Sequence, residues 1–513
     1  MRDEDPRIVE LRARREQARM GGGPERIAKQ HAKGKLTARE RIDLLLDRGS
    51  FQEIAPFVTS RDEDDSSSYG DGVVTGFGQV DGRQVYVYAQ DFTVQGGALG
   101  EMHSQKICRV MDLAAKTGAP VVGLIDSGGA RIQEGSRSLN GYGEIFRRNA
   151  QYSGIVPQIS VILGPCAGGA AYSPALTDLI VMVDQTSYMF LTGPDVIRSV
   201  TGEEIDFENL GGAGVHLGIS GLAHLTAPSE QEALALVRSV LGYLPSNNME
   251  NPPQREYSGP AADRDEALNS IIPADPSAAY SMREVIDRVV DPGSLIELQP
   301  TFARNAIVGL ARIAGMPVGI VANEPAVVAG VMDIDSSDKI TRFVRFCDAF
   351  NVPLVTFVDT PGFLPGVDQE HRGIIRHGAK VLYAYSEATV PKISVVTRKA
   401  YGGAYIVMSS RSLDGDLAFG WPSAEIAVMG PEGAVNILYR KQIAEAEDKA
   451  AERSRLVQEY RTNLLNPYRA ASLGYLDDVI EPAETRARIV AGLKALRDKQ
   501  VTPLPRKHGN MPV

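Results

Sequence analysis

Cysteine and histidine are scarce in this chain of 513 residues, which contains 3 and 7 of them. The cysteines, Cys108, Cys166 and Cys347, are far apart and form no CxxC pair. A zinc ribbon or a disulfide framework requires more cysteines at closer spacing, so the sequence excludes both. Isolated thiols are typical of a reducing compartment, and we expect the chain to be cytoplasmic.

Long apolar runs and positive net charge are absent as well. No segment approaches the roughly 18 apolar residues of a membrane span, and the amino-terminal segment lacks the apolar core of a signal peptide. Residues 1–41 mix basic and acidic side chains, which favours an amphipathic helix packed on the protein itself. With 54 basic and 64 acidic residues, the net charge is −10. We therefore expect neither a nucleic acid nor a membrane as a partner.

Glycine, by contrast, is abundant, with 51 residues in a chain that is 43% hydrophobic and 23% charged. The length exceeds what one hydrophobic core supports, so we expect a globular protein of two or more domains. Glycine is favoured where the backbone turns sharply or approaches a ligand closely. The glycine clusters are therefore the first places to look for a functional site.

The sequence contains an internal repeat. The segment SQKICRVMDLAAKTGAPVVGLIDSGG from Ser104 aligns with SDKITRFVRFCDAFNVPLVTFVDTPG from Ser337 at an offset of 233 residues. The identical pairs in this block are Ser104/Ser337, Lys106/Lys339, Ile107/Ile340, Arg109/Arg342, Pro120/Pro353, Val122/Val355 and Asp126/Asp359. VPQISVILGPCAGGAAY from Val156 then matches VPKISVVTRKAYGGAY from Val390 at an offset of 234. Two matching blocks in the same order indicate an internal duplication.

Both halves predict the same order of elements. Each begins with a helix and a short apolar run, followed by a glycine-containing turn, a second helix, a second apolar run and a Gly-Gly turn into another helix. Because strands alternate with helices, we expect an α/β fold with a largely parallel sheet in each half. The polar, Pro-rich stretch from Pro245 to Asn269 predicts a linker. We therefore place the two domains at residues 1–255 and 256–513.

A glycine pair opens the last helix of each repeat block. The two turns are Gly168-Gly169-Ala170 and Gly402-Gly403-Ala404. Such a turn presents consecutive backbone N–H groups at the positive end of a helix, with no side chain to hold a ligand away. A lone pair is more often a tight packing turn. Its recurrence at the equivalent place in both halves favours two oxyanion-binding sites.

Motifs of several other enzyme classes are missing. The sequence contains no GxSxG elbow, no HExxH helix and no GxxxxGK[ST] loop, so hydrolases, zincins and P-loop proteins are excluded. The pairs His216/His224 and His371/His377 have spacings of eight and six residues, which match no helical metal-ligand pair, and we interpret them as structural. GGAGVHLG from Gly211 spaces its glycines wrongly for a dinucleotide site. Two anion sites without a general base indicate a reaction in which two oxygens gain charge, one of them the oxygen of a thioester enolate.

Eight longer motifs point to a family. They are AKGKLTARERIDLLLD from Ala32, YGDGVVTGFGQVDGR from Tyr69, DSGGARIQEG from Asp126, GPCAGGAAYSPALTD from Gly164, DTPGFLPG from Asp359, RKAYGGAYIVM from Arg398, AEIAVMGPEGAVNILYR from Ala424 and NPYRAASLGYLDDVIEPAETR from Asn466. Over nearly its whole length the chain resembles the carboxyltransferase (β) subunits of biotin-dependent acyl-CoA carboxylases, the group that contains propionyl-CoA carboxylase β. The resemblance implies a crotonase-like fold, a ββα superhelix, in each half.

The resemblance also implies partners and a mechanism. The chain is expected to form a homo-hexamer, a trimer of dimers, in which acyl-CoA on the first half of one subunit meets carboxybiotin on the second half of another. Biotin arrives on a carrier domain of a separate α chain that accompanies biotin carboxylase. The N–H groups around Gly168 and Gly169 hold the thioester oxygen, and those of Gly403 and Ala404 hold the ureido oxygen of biotin. Carboxybiotin releases CO2, biotin N1 removes the α-proton of acyl-CoA, and the enolate attacks CO2, so no side-chain base is required.

Further site residues follow from the same resemblance. Those on the acyl-CoA side are Gly128, Gly129, Ala130, Arg131, Ala170, Tyr172 and Ile406, and those on the biotin side are Gly402, Gly403, Ala404 and Tyr405. Arg131 either meets a CoA phosphate or carboxylate or pairs with Glu134 on its own helix. Ile406 stands where propionyl-selective members commonly have Asp, and it is either a core residue or a specificity residue. The acyl acceptor therefore stays open among acetyl-, propionyl-, butyryl- and longer acyl-CoA. Since the four-cysteine zinc ribbon of some β chains is absent, no metal is expected.

Three other functions remain open at this point. The same fold can catalyse the reverse reaction, as a decarboxylase subunit that transfers a carboxyl group from methylmalonyl-CoA to biotin. A biotin-independent crotonase-type hydratase or isomerase would use a carboxylate such as Glu134 or Asp335, and would turn over an enoyl-CoA by itself. A catalytically silent scaffold for the α chain would fail an assay with free biotin. The identity of the α chain and the need for a small accessory subunit are also left open.

Overall fold

The computed structural model describes residues 4–61, 69–259, 264–275, 278–502 and 504–513. The chain divides into two compact units, Met1–Asn251 and Pro252–Val513. The division falls within the Pro-rich stretch, four residues before the boundary placed after residue 255. No helix in the described ranges is long and apolar enough to cross a membrane.

The first unit is built around a sheet of eight strands. Its helices are α1 (Pro6–Arg19), α2 (Pro24–Ala32), α3 (Ala38–Leu45), α4 (Glu101–Thr117), α5 (Ser136–Tyr152), α6 (Tyr172–Leu176), α7 (Pro194–Thr201), α8 (Phe207–Gly211), α9 (Ala213–Gly218) and α10 (Glu230–Leu241). Its strands are β1 (Gln52–Glu53), β2 (Val73–Val80), β3 (Arg83–Gln90), β4 (Val121–Ser127), β5 (Gln158–Ala167), β6 (Leu179–Val183), β7 (Tyr188–Phe190) and β8 (Leu225–Ala227). The strand order is β1-β2-β3-β4-β5-β6-β8, and β7 pairs with the end of β5.

The second unit repeats this arrangement. Its helices are α11 (Met282–Val289), α12 (Ile334–Ala349), α13 (Val367–His371), α14 (Ile374–Glu387), α15 (Gly402–Val407), α16 (Pro431–Leu438), α17 (Arg440–Glu445), α18 (Lys449–Leu464), α19 (Pro467–Ser472) and α20 (Thr485–Ala495). Its strands are β9 (Ile296–Leu298), β10 (Ala306–Ile313), β11 (Met316–Asn323), β12 (Leu354–Thr360), β13 (Lys392–Tyr401), β14 (Leu417–Gly420), β15 (Glu425–Ala427) and β16 (Asp478–Val479). The order is β9-β10-β11-β12-β13-β14-β16, and β15 pairs with β13.

The two sheets correspond strand for strand, so the predicted duplication and α/β class are confirmed. In each unit the central strands pair in parallel and an antiparallel hairpin, β2–β3 or β10–β11, extends one edge. The central strands β4 and β12 are buried along their whole length, which explains their continuous apolar sequence. Helices α4 and α12 lie at equivalent places and bury one face each.

The lysine pair of the repeat has a structural role in both units. The Lys106 Nζ donates to the carbonyls of Gly70 and Val73, at 2.8 and 2.5 Å. The Lys339 Nζ donates to the carbonyls of Gln299, Phe302 and Ala306, at 2.9, 2.8 and 2.8 Å. Burial lowers the pKa of Lys106 to about 8 and that of Lys339 to about 7. Each ammonium therefore satisfies loop carbonyls beside the edge hairpin.

The amino-terminal helices depart in part from expectation. Helix α1 buries only Ala18, so it does not pack on this chain through an amphipathic face. The packing is instead made by α3, where Thr37 forms a capping box with Glu40 and where Ile42 and Leu45 are buried. Residues 4–41 thus contain the exposed α1, then α2, which buries only Gln30, and the start of the docked α3.

Candidate active site

The Gly-Gly turns occupy equivalent positions in the two units. Strand β5 ends at Ala167 and continues through a 3-10 turn, Gly168–Ala171, into α6. Strand β13 ends at Tyr401 and continues directly into α15. Gly168 and Gly402 have φ values of 60° and 59°, in the left-handed region that favours glycine. The same backbone conformation therefore turns each strand into its helix.

The N–H groups at these helix starts are free to bind a ligand. The first N–H groups of a helix have no acceptor inside it. Among the described residues, no group outside the helix accepts a hydrogen bond from the backbone N–H of Gly169, Ala170, Gly403 or Ala404. Adjacent donors at the positive end of a helix suit an oxygen that carries negative charge.

An aromatic ring lies beside the second glycine of each turn. A Cβ on Gly169 would lie 3.2 Å from the Tyr142 ring, and one on Gly403 would lie 3.7 Å from the Phe363 ring. Tyr142 belongs to α5, whereas Phe363 belongs to the loop that follows β12. The turn in the first unit is therefore more tightly enclosed than the one in the second.

A second turn, residues 128–130, adjoins the first unit's Gly-Gly turn, and a third turn adjoins the second. Gly128, Gly129 and Ala130 follow β4, and Ala130 pairs with Leu99. Leu99 follows the turn after β3, where a Cβ on Gly97 would lie 2.1 Å from the carbonyl oxygen of Asp126. Sequence reasoning missed this third turn, although its Gly96-Gly97 pair was a signal.

The second unit contains the same third turn after β11. A Cβ on Gly330 would lie 2.3 Å from the carbonyl oxygen of Asp359. Met332 pairs with Phe363, as Leu99 pairs with Ala130. In both units the loop after the third strand therefore packs directly on the end of the fourth.

Arg131 is paired with carboxylates inside the first unit. Its side chain is buried, and its guanidinium lies 2.7 Å from carboxylate oxygens of both Asp71 and Glu134. Of the two roles considered for Arg131, the pairing with Glu134 is confirmed. The ligand-contact role stays a prediction, and it would require the guanidinium to move away from these two carboxylates. The pairing also uses the Glu134 carboxylate, which accepts from the backbone N–H of Glu101 as well.

Ile406 lies on α15, one turn after Gly402. It exposes 40% of its surface, so it is not a core residue of this unit. Tyr172, which follows the first Gly-Gly turn, exposes 51%. Tyr405 is half-buried, and burial raises the pKa of its hydroxyl. Exposed apolar and aromatic side chains thus adjoin both turns.

His216 and His377 have hydrogen-bond partners that suit structural roles. The His216 Nε2 lies 2.7 Å from the Met189 carbonyl, and its Nδ1 lies 2.8 Å from the Ser220 hydroxyl. Because a carbonyl only accepts, Nε2 carries the proton and Nδ1 accepts from Ser220. The His377 Nδ1 lies 2.8 Å from the Asp338 carboxylate. Within the described ranges, no group of three or more His, Cys, Asp or Glu side chains could hold a metal ion.

Comparisons with known proteins agree with this geometry. The family described as carboxyl transferase domain matches residues 29–511. The chain is 57% identical over 514 residues to the propionyl-CoA carboxylase carboxyltransferase subunit of Haloferax mediterranei, covering 99% of each chain. It is 55% identical over 513 residues to the methylmalonyl-CoA decarboxylase subunit alpha of Propionigenium modestum, again covering 99% of each. The crystal structure of transcarboxylase 12S, described as a hexamer with methylmalonyl-coenzyme A bound, superposes with a TM-score of 0.97 at 49% identity, covering 99% of this chain and 98% of that one.

Proposed function

Because this chain belongs to the carboxyl transferase domain family, we propose that its two units divide the substrates of one carboxyl transfer between them. The chain is the carboxyltransferase component of a biotin-dependent acyl-CoA carboxylase, with a crotonase-like fold in each unit. The first unit holds acyl-CoA and the second holds carboxybiotin. The observation that carries this division is the pair of equivalent turns with unoccupied N–H donors.

Each turn is assigned to one oxygen. The N–H groups around Gly168 and Gly169 bind the acyl-CoA thioester oxygen, and those of Gly403 and Ala404 bind the ureido oxygen of biotin. Donors fixed by the fold stabilise charge as it develops, and each contributes roughly 10² to 10³ in rate. Tyr172 and Ala170 line the thioester side, whereas Gly402 and Tyr405 line the biotin side.

The Gly402-Gly403 turn of the second unit fits a flat ring better than a bulky side chain. A Cβ on Gly403 would point toward the Phe363 ring, and Ile406 offers an apolar surface one turn further along. When bound, carboxybiotin supplies CO2, and its N1 accepts the α-proton of the acyl group. The protein positions the two oxygens and excludes water, which protects the enolate from protonation. With Glu134 committed to Arg131, a hydratase that uses this carboxylate is disfavoured.

The assembly is proposed to be a hexamer whose active sites form between subunits. Apolar side chains are exposed in both units: Ile132, Leu139, Leu191 and Val200 in the first, and Val367, Ile375, Val428 and Ile437 in the second. Leu191 and Val428 lie at equivalent places beside the two Gly-Gly turns. Exposed apolar patches of this kind mark interaction surfaces. Pairing the first unit of one subunit with the second unit of another covers both patches and brings the two substrates together.

The proposed partner is a separate α chain, and the proposed compartment is the cytoplasm. A separate α chain with biotin carboxylase and a biotin carrier domain would deliver carboxybiotin. The described cysteines are buried and free, which suits the reducing cytoplasm. Decarboxylation is the second candidate function, because the Propionigenium modestum relative is named a methylmalonyl-CoA decarboxylase subunit and its sequence identity to this chain is close to that of the Haloferax relative.

Carboxylation of a panel of acyl-CoAs by the chain together with its α partner tests this function. ATP-dependent transfer of labelled bicarbonate to acetyl-, propionyl- or butyryl-CoA is expected. Decarboxylation of methylmalonyl-CoA without carboxylation of any of these would instead favour the decarboxylase. Turnover of an enoyl-CoA by the chain alone, with no carboxyl transfer, would contradict both.

A further inference from the structure

A cavity lies inside the first unit, directly behind the acyl-CoA turn. It has a volume of about 20 Å³, which holds one water molecule or a methyl group. Strands β3 and β4 form one side, and α4, α5 and the start of α6 form the other. Its lining includes the apolar Ile107, Ile125 and Ile145 and the polar Gln90 and Ser173, and Ala170 of the turn forms part of its wall.

Tyr142 separates this cavity from the turn. One face of its ring is the nearest group to Gly169, at 3.2 Å from the position of a Cβ, and the ring also lines the cavity. The side chain is buried, and its ring packs between Gly169 and the cavity. The ring therefore fills the space between the turn and the cavity.

An aromatic row connects the surface with this ring. Tyr172 is exposed beside the turn, and its ring centroid lies 6.0 Å from that of Phe146. The Phe146 ring stacks on Tyr142 with a centroid distance of 5.8 Å. Flat apolar faces thus extend from the mouth of the proposed site to the wall of the cavity.

We propose that Tyr142 closes an acyl-chain cavity behind the Gly168-Gly169 turn and so limits the length of the acyl group. This inference rests on the proposed function, because a thioester oxygen bound at Gly169 brings the acyl carbons next to the Tyr142 ring. A short acyl group ends against the ring. Removing the ring joins the site to a cavity with a mainly apolar lining, which adds favourable apolar contact for a longer chain.

Binding of acetyl-, butyryl- and hexanoyl-CoA to the purified full chain tests the inference by calorimetry and needs no α partner. In Tyr142→Leu, the affinity for hexanoyl-CoA relative to acetyl-CoA is expected to rise about tenfold, because contacts with one or two methylenes are worth that much. Tyr142→Phe keeps the ring and should keep the wild-type ratio. Ile145→Ala enlarges the cavity but leaves it closed, so it should also keep that ratio.

The outcomes separate the two proposals. If Tyr142→Leu binds acetyl-CoA but keeps the wild-type chain-length ratio, Tyr142 does not limit the acyl group and the inference is overturned. If the wild-type chain binds none of the three acyl-CoAs, the proposed function fails and the inference fails with it. Should Tyr142→Leu not fold, Tyr142→Met, which keeps more of the volume, provides the same comparison with the same expected direction.

Discussion

Asp126 and Asp359 occupy the same position at the ends of β4 and β12, and both carboxylates are completely buried. Asp126 lies 2.7 Å from the Lys35 ammonium and 2.9 Å from the Arg41 guanidinium, both from the amino-terminal segment. Asp359 lies 3.0 Å from Arg398, on the neighbouring strand β13. Burial raises the pKa of Asp359, although the Arg398 charge acts to lower it. Each unit therefore has one buried aspartate at the end of its fourth strand. The cations that pair with these two aspartates come from different parts of the chain.

Arg41→Met is expected to lower the free energy of unfolding by about 3–5 kcal/mol, because it leaves the buried Asp126 and Glu230 carboxylates without their shared partner. Urea denaturation measures the loss. Arg7→Met, in an exposed pair with Asp5, is the control and should change stability by less than about 1 kcal/mol. Equal free energies of unfolding for the two variants would show that the buried ion pairs of Arg41 do not stabilise the protein.

Gly169→Val and Gly403→Val are each expected to abolish turnover, because a branched side chain there presses on the Tyr142 or Phe363 ring and displaces the N–H groups that bind the ligand oxygen. A loss of at least about 10² in kcat is expected from the loss of one donor. Circular dichroism should show that both variants remain folded. Gly214→Val, at an exposed position of α9 with open space around it, is the matched control and should keep its activity. Near-normal turnover in either turn variant would contradict the two-site mechanism.

Ile406→Asp is expected to change acyl selectivity rather than to lower all activities alike. A carboxylate must remain hydrated or hydrogen-bonded, so it removes apolar contact from the pocket. The ratios of kcat/KM among acetyl-, propionyl- and butyryl-CoA should shift about tenfold or more. Ile406→Leu keeps the apolar surface and should preserve those ratios. Unchanged ratios in the Asp variant would locate the specificity elsewhere.

The purified chain is expected to be a hexamer in light scattering. Ile437→Asp places a charge in the exposed apolar patch of the second unit and should dissociate the assembly, with loss of carboxyl transfer. Glu459→Lys, on the exposed surface of α18, changes charge away from that patch and should leave the hexamer intact. A monomer that still transfers carboxyl groups would refute an active site shared between subunits.

Lys339 should make stability depend on pH. Burial lowers its folded-state pKa to about 7, whereas the unfolded value is about 10.4. Between these values the unfolded chain binds more protons, so the free energy of unfolding contributed by this group rises with pH. From pH 7 to 9, wild type should gain about 1 kcal/mol per pH unit relative to Lys339→Met. The midpoints of urea denaturation at each pH measure this gain. Lys29→Met, at an exposed position, is the control. Parallel pH profiles of wild type and Lys339→Met would contradict the low pKa.

The local sequence by itself determined the duplication, the α/β class and the two Gly-Gly turns. Apolar runs predict buried strands because the hydrophobic pattern depends only on residues that are neighbours in sequence. A Gly-Gly pair at a helix start can likewise be recognised without any long-range contact. The division at Asn251 also falls inside the stretch that composition identified as a linker.

Only the tertiary structure decided which side chains face these turns. Arg131 is paired because Asp71, 60 positions earlier, packs against it, and Ile406 is exposed because α15 buries its opposite side. Tyr142 and Phe363 reach the two glycines from different elements of their units. Such contacts join residues far apart in sequence, and close packing rather than local pattern selects them.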